Sequence, residues 1–501
     1  MQYFTQGISF SLLLFCLIIA PITKAQKVLE ILSAEDLYGF ERNGEKIKQL
    51  RGNVVLKQDD VMLFCDSAEQ NEKRNTVDAY GHIKVQQGDS LTVTGDFLKY
   101  DGNTRVASIR RNVILIQPDL LLTTDQLDYD TKNKTGRYTT GGKLISGENT
   151  LTSQIGYYFT ATKIAYFKKN VVLSNIEYTL RCDTLKYNSQ SNIAYFLGPT
   201  SISKDNTTIS CENGWYDRRA TFSQFTKNVE IKSPGQVLKA DSMSYNTRQE
   251  YGNAYRNILL IDSNENFLVK GNFGSYDRKK SLTKISNKAL ASQIVDGDSM
   301  FVHADTLYYY SDTTAGKKLY GYHRVKIYKS DMQGICDSLK YDFKDSVISF
   351  YSKPVLWMDS TQIIADTIFV LLKNQQVHNM LLRNRCFIAS MVDTQRYNQI
   401  KGKNMQGFFF LNSLRKVKVY EQGESIYFAK DEKDAYLGVN KISCQNMVIY
   451  IDENKVRKIN FQGKPDATFF PIKELPPSDL LLKGFEWKYQ LRPTSGTGLI
   501  N

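Results

Sequence analysis

Acidic residues return at one slot about every 29 residues: Asp66, Asp96, Asp125, Asp183, Glu212, Asp241, Asp305, Asp337 and Asp366. A row of carboxylates suggests two kinds of chemistry, calcium binding or the acid and base of a glycosidase. Neither fits the pattern. The Gly-Gly-x-Gly-x-Asp nonapeptide of calcium-binding β-rolls is absent, and a catalytic pair needs two special acids rather than one per repeat. The histidines His82, His303, His323 and His378 share no motif. There is no C-x-x-C, G-x-S-x-G, P-loop or H-E-x-x-H, and no nucleic-acid-binding signature. No catalytic residue, metal ligand or cofactor site follows, and an enzyme is not expected. An acid at such a slot has a local use, accepting backbone N–H groups at a bend. Asp66, Asp96, Asp125, Asp183, Glu212 and Asp241 are assigned that role.

The elements around the slot repeat with it. The phrase is small residue, Asp, any, Leu, any, Tyr, then Asp or Asn, as in Gly95–Asp101, Thr124–Asp130 and Cys182–Asn188. The tyrosine falls at Tyr100, Tyr129, Tyr158, Tyr187, Tyr216, Tyr245, Tyr276, Tyr309 and Tyr341. A fixed period of this length means stacked rungs. With 31 Tyr, 26 Phe and only 10 Pro, the composition favours strands. The period from Asn112 to Gly141 reads as three short extended pieces. Along the second, Leu122 and Thr124 share one parity while Asp125, Leu127 and Tyr129 share the other. A parity change at a fixed place marks a bulge or bend, so the stack becomes a folded trough or two-sheet roll. The expected fold is all-β, an elongated V-shaped repeat of about 12 or more rungs in two sheets. Two apolar columns run through it: Leu63, Leu122, Leu151, Leu180, Ile209 and Leu238, and Val54, Val113, Val171, Val229 and Ile258. These are the candidate groove residues.

The ends differ from the repeats. Residues 1–25 read as a secretory signal peptide, with an apolar run from Phe10 to Ala20 and a small-x-small site at Thr23-Lys24-Ala25. An uncleaved anchor is the alternative. No later stretch is apolar enough for a membrane helix. Cleavage would remove one lysine and no acid, taking the net charge from +13 to +12 and leaving a mature chain suited to an anionic partner. Its six cysteines mostly fill the small slot, and Cys182 and Cys211, in consecutive rungs, are candidates for a disulfide. Regular repeats are expected over 26–290, looser ones over 291–460, and a Pro-rich tail or cap over 461–501.

The opener Asn-Val, then Leu-x-small-Asp-x-Leu-x-Tyr-Asp, then a Gly-closed strand, resembles the OstA-like (organic solvent tolerance) repeat. That family covers periplasmic lipopolysaccharide-transport proteins such as LptA and the N-terminal domain of LptD. The resemblance spans residues 27–395 well and 396–460 weakly, and the length and tail look like the long Bacteroidetes-type members. It implies a V-shaped β-jellyroll that holds lipid A acyl chains in an apolar groove. It also implies a periplasmic, possibly outer-membrane-associated location in a Gram-negative bacterium, and edge-strand pairing with other jellyroll transport proteins or with itself. Two readings remain beside it. One is a scaffold with a closed core that binds protein partners through its sheet edges; the other is a carbohydrate-active solenoid.

Overall fold

The computed structural model describes residues 29–500 apart from 296, 313–315, 432, 453–454 and 472–475. The expected signal peptide lies outside the described residues. Strands dominate, all paired antiparallel, and the only helices described are three short 3-10 turns in the last 25 residues. Among the described residues no helix is long and apolar enough to cross a membrane. The chain falls into two compact units. Unit 1 holds residues up to Gly147 together with Ile155–Ala161; unit 2 holds Glu148–Gln154 and Thr162 onward.

Most periods contribute two long strands rather than three short pieces, although Thr135–Tyr138, Gly142–Ser146, Asn149–Ser153 and Ile155–Phe159 are short. The expected fragments around Asn112 and Leu120 belong to Val106–Gln117 and Leu120–Asp130, each of which runs through the bend. Short turns join the strands, and the last residue of the repeated phrase builds one of them. Asp101 Oδ1 accepts the N–H groups of Asn103 and Thr104 at 2.8 and 3.2 Å. Asp130, Asn188 and Asp217 build the same turn in other rungs. A short side chain that mimics a backbone acceptor favours this turn, which explains Asp or Asn at the position.

The bend is a bulge. Arg51 pairs with Ser67 and Val54 with Cys65, so Gly52 and Asn53 together stand opposite the single Asp66. Gly81 and His82 stand likewise opposite Asp96, and Arg111 and Asn112 opposite Asp125. Both residues of each pair have positive φ, for example 73° at Gly81 and 61° at Arg111. Two left-handed residues facing one extended residue turn the strand sharply. The partner strand changes its inward parity at the same place. In Val61–Asn71, Val61, Leu63 and Cys65 are buried, Asp66 and Ser67 point outward, and Ala68 and Gln70 are buried again. The parity slip therefore falls just after the acid. Asp125 is exposed and does not share the face of the buried Leu127 and Tyr129, which corrects the expected grouping.

Every such strand thus lends its two halves to two facing sheets. In unit 1 the interior is closed, with Leu56, Val93, Leu115, Leu98, Ile109 and Leu127 all buried. A cavity of about 20 Å³ beside Leu56, Leu63, Leu98 and Tyr100 has room for one water molecule. In unit 2 the pairing continues across residue 290, from Leu282–Val295 to Asp298–Asp312. The expected tail boundary at 461 falls inside the strand Lys455–Gln462, and Asp466–Phe470 still pairs with Tyr436–Asp452.

The bend makes opposite demands on two of its residues. A Cβ at Gly81 would collide with Asp66 Oδ2, on a backbone of φ +73°. Gly81→Ala is expected to cost about 1–3 kcal/mol. Arg111→Gly, which relieves a left-handed Cβ, is expected to be neutral or to gain up to about 1 kcal/mol. Urea unfolding of both variants checks the opposite signs.

Candidate functional site

The two sheets meet at the bend and diverge toward a mouth. In unit 1 the mouth is sewn shut by the repeated tyrosine and by a glutamine at the far end of the opener half-strand. The Tyr129 hydroxyl donates to Gln87 Oε1 at 2.7 Å and the Tyr158 hydroxyl to Gln117 Oε1 at 2.8 Å, while Tyr100 donates to Gln58. Each bridge spans the interior between residues some 41 or 42 apart in sequence. Alternation of tyrosine with small residues, Ala79, Tyr100, Ala107, Tyr129, lets the rings fill the gap without collision. Burial pushes the Tyr129 hydroxyl up to about 12.

Unit 2 lacks this seam over several rungs. The position four residues after the opener is Gln58, Gln87 and Gln117 in unit 1, but Asn175, Lys204 and Ser233 in unit 2. The Tyr187 hydroxyl meets the nearby Asn192 Oδ1 at 3.1 Å instead of a group across the mouth. The layer next to the bend stays buried, with Val171, Cys182, Cys211, Val229 and Ala240 opposite Leu185, Phe196, Phe225 and Met243. The layer toward the mouth is only partly covered: Leu173, Ile202, Ile209, Ile231 and Leu238 on one sheet and Tyr187, Tyr216 and Tyr245 on the other. The result is a half-open trough with an apolar floor and apolar lips. Its floor is packed tightly, since a Cβ at Gly214 would collide with Phe196 Cε2.

The seam returns at Asp262, which has no exposed side-chain surface. It accepts from the Tyr309 hydroxyl at 2.9 Å and from Gln236 Nε2 at 3.0 Å, and pairs with Lys317 Nζ at 2.9 Å. Phe267 stacks on Tyr309 beside it, with ring centroids 5.1 Å apart. Burial would raise the Asp262 carboxyl, but the donors Gln236, Lys317 and Tyr309 outweigh it and hold it below the ordinary 3.8. Acting on Tyr309, burial and the same carboxylate push its hydroxyl far above the ordinary 10.0.

The candidate groove residues divide accordingly. Leu63, Leu122, Val54 and Val113 are closed core in unit 1. Leu151, Leu180, Val171, Val229 and Ile258 are buried in unit 2, and Ile209 and Leu238 line the partly exposed lip. The assigned acids stand apart from this interior, on the outside of the bend. Four of them bind side chains of the next bulge rather than backbone N–H groups: Asp66 with His82 Nδ1 at 2.8 Å, and Asp96 with Asn112 Nδ2 at 2.7 Å. Glu212 meets Asn228 at 2.8 Å and Asp241 meets Asn257 at 3.0 Å. Asp125 and Asp183 sit where the second residue of the next bulge is Gly141 and Pro199, neither of which has a side-chain donor to offer. Among the described residues no group of three or more His, Cys, Asp or Glu is placed to hold a metal. The sealing glutamine column escaped the sequence reading, although its period of 29 or 30 residues is visible at 58, 87 and 117. The six cysteines of the repeats are free thiols, Cys182 and Cys211 included.

An all-β chain of bent rungs with an apolar interior is the class that this geometry defines. Residues 26–183 and 169–241 match the sequence model of the OstA-like protein family. Among solved structures it is similar to LptH from Pseudomonas aeruginosa, described as the LptA homologous periplasmic component of the conserved lipopolysaccharide transport device. The two are 14% identical, with a TM-score of 0.21, over 22% of this chain and 82% of that one. No curated protein matches the chain.

Two outcomes follow from the buried groups. Asp262 contributes stability that is whole above its ordinary 3.8 and is lost as pH falls toward its depressed folded value. Asp262→Asn is therefore expected to cost about 1–3 kcal/mol near neutral pH, with the difference from wild type shrinking below about pH 3.8. Calorimetric melting at both pH values tests this. Burial raises the thiols of Cys65, Cys182, Cys336 and Cys386 to about 12. Alkylation of the folded chain near pH 8 should be on the order of a thousandfold slower than that of a free thiol, and normal in denaturant.

Proposed function

We propose that this chain is an exported, periplasmic lipopolysaccharide-transport or assembly protein that shields lipid A acyl chains in the trough of unit 2. It works by binding, without catalysis, and bridges toward the outer membrane through its sheet edges. One observation carries the reading. The interior stays apolar along the regular repeats, yet it opens to solvent where the sealing glutamines are replaced by Asn175, Lys204 and Ser233. An acyl chain laid against Ile209, Ile231 and Leu238 gains about 0.8 kcal/mol per methylene buried, the scale needed to offset extraction from a bilayer. The OstA-like match over residues 26–241 includes this stretch, and the basic mature chain suits a phosphorylated glycolipid.

Edge strands supply the partner surface. Glu30–Ser33 and Asp36–Arg42 in unit 1 pair on one side, with Glu45–Gln58. Lys455–Gln462 and Asp466–Phe470 in unit 2 pair on one side, with Tyr436–Asp452. Free ladder groups at such edges recruit another strand. The closed interior of unit 1 favours the scaffold reading for that unit, which would then serve protein partners and hold no lipid.

A photo-crosslinking residue at Ile209 or Leu238 is expected to capture lipopolysaccharide in cells, while one at Leu115, in the closed unit, is not. Absence of lipid adducts at both trough positions, with the protein folded and exported, overturns the reading. Lys204→Gln with Ser233→Gln rebuilds the acceptors opposite Tyr245 and Tyr276. This pair is expected to raise the melting temperature and to weaken lipopolysaccharide binding roughly tenfold, since closing the mouth competes with the ligand by about 1.4 kcal/mol. A fluorescent lipopolysaccharide titration reads the change.

A further inference from the structure

The outer face of a solvated sheet is an unusual place for buried amides, yet unit 2 has three. Gln333, Gln362 and Gln399 are each nearly inaccessible. They share one register position, three residues before the small slot filled by Cys336, Ala365 and Gly402. Inward parity belongs to the slot residue and its alternates, so the glutamines face outward. What buries them is the C-terminal segment, which runs back along this column. Gln399 Nε2 donates to the Leu480 carbonyl and its Oε1 accepts the Leu482 N–H, both at 2.8 Å. Six residues further on, Gln362 repeats the pair, donating to the Glu486 carbonyl at 2.6 Å and accepting the Lys488 N–H at 2.7 Å. Gln333 Oε1 then accepts Arg492 Nε at 2.7 Å. Each of the first two amides thus reads a carbonyl and an N–H two residues apart, as a neighbouring strand would.

Apolar anchors fix the register of this strap. Leu482 is buried among Phe387, Ile426, Phe428 and Val439. The rings of Phe485 and Trp487 lie 5.0 and 4.8 Å from that of Tyr397, and the Tyr489 ring is parallel to Trp487 at 6.0 Å. The fit is incomplete at one point. Trp357 pairs with both Gln333 and Gln362 in the ladder and is fully buried, but its indole N–H has no acceptor. A buried unpaired donor weakens the grip of the strap on its seat.

We propose that this face is a peptide-docking groove whose ligand is the segment 479–500, seated here in its own chain and exchangeable with the same segment of a second copy. Every copy carries both the groove and its ligand, so exchange needs no new contact and is governed by the local concentration of the two segments. This surface is distinct from the sheet edges.

Two differently tagged full-length copies decide the matter, one carrying a photo-crosslinking residue at Trp487. The expected result is adducts between copies at or near Tyr397 that rise with protein concentration. They should fall at least tenfold when the receiving copy carries Gln362→Ala and Gln399→Ala. Adducts confined to the tagged chain itself at every concentration overturn the proposal. The same probe at Tyr489, which is half exposed, keeps the test readable if Trp487 does not tolerate replacement.

Discussion

Two residues set against one at a bulge, in most periods both of them left-handed, is the constraint on which this chain depends. A flat antiparallel sheet of these strands would leave one apolar row exposed on each face. The bulge turns each strand in mid-course and shifts the inward parity of its neighbour, so that both halves aim their apolar residues at one interior. Gly, Asn, His, Arg, Lys, Ser, Glu and Gln share the positive-φ positions at the bends. Only glycine and asparagine take such a conformation readily, so the pairs at Arg256-Asn257 and His323-Arg324 store some strain. The acids outside the bend answer it. Asp241 meets Asn257, and Asp305 meets Arg324 at 2.9 Å, tying one bulge to the next rung. Such exposed contacts contribute little individually; their value is that they recur in register.

With the bend set, the other end of each strand decides what the interior can do. Tyrosine and glutamine close the mouth in unit 1, and a buried cluster of Asp262, Tyr309 and Lys317 closes it within unit 2. Between Ile164 and Asn246 the repeated tyrosines face no glutamine across the gap, and the leucine and isoleucine layer beneath them is half covered. A single side chain per period therefore separates a sealed core from a half-open trough. The hydrophobic columns themselves are nearly the same in both.

Much of this is legible from residues alone. The period, the all-β class, the bend beside the acid slot and the apolar columns follow from spacing and parity. So does the poor prospect of catalysis at Asp66 or Asp125, since a repeated acid is not a special one. The reading fails where neighbours decide. Counting alternation from the acid groups Asp125 with Leu127, whereas two consecutive residues point outward there. A lone acid at a bend suggests backbone N–H partners, yet side chains of the next bulge reach Asp66, Asp96, Glu212 and Asp241 first. The stretch from Leu480 to Arg492 carries no repeat signal, because a segment docked by glutamine amides has no periodicity of its own.

The rung is written in the residues: its length, its turn chemistry and which residues can face inward are all local and repeat. Which rungs are shut is settled only when the chain is folded. Closure depends on Gln87 meeting Tyr129 across a gap between residues more than a full period apart, or on Lys204 and Ser233 standing where such a glutamine would be. The alternation that fixes a side chain's face says nothing about what stands on the opposite sheet. The same holds for the strap, where Gln399 and Leu482 are 83 residues apart and their meeting is a property of the folded stack.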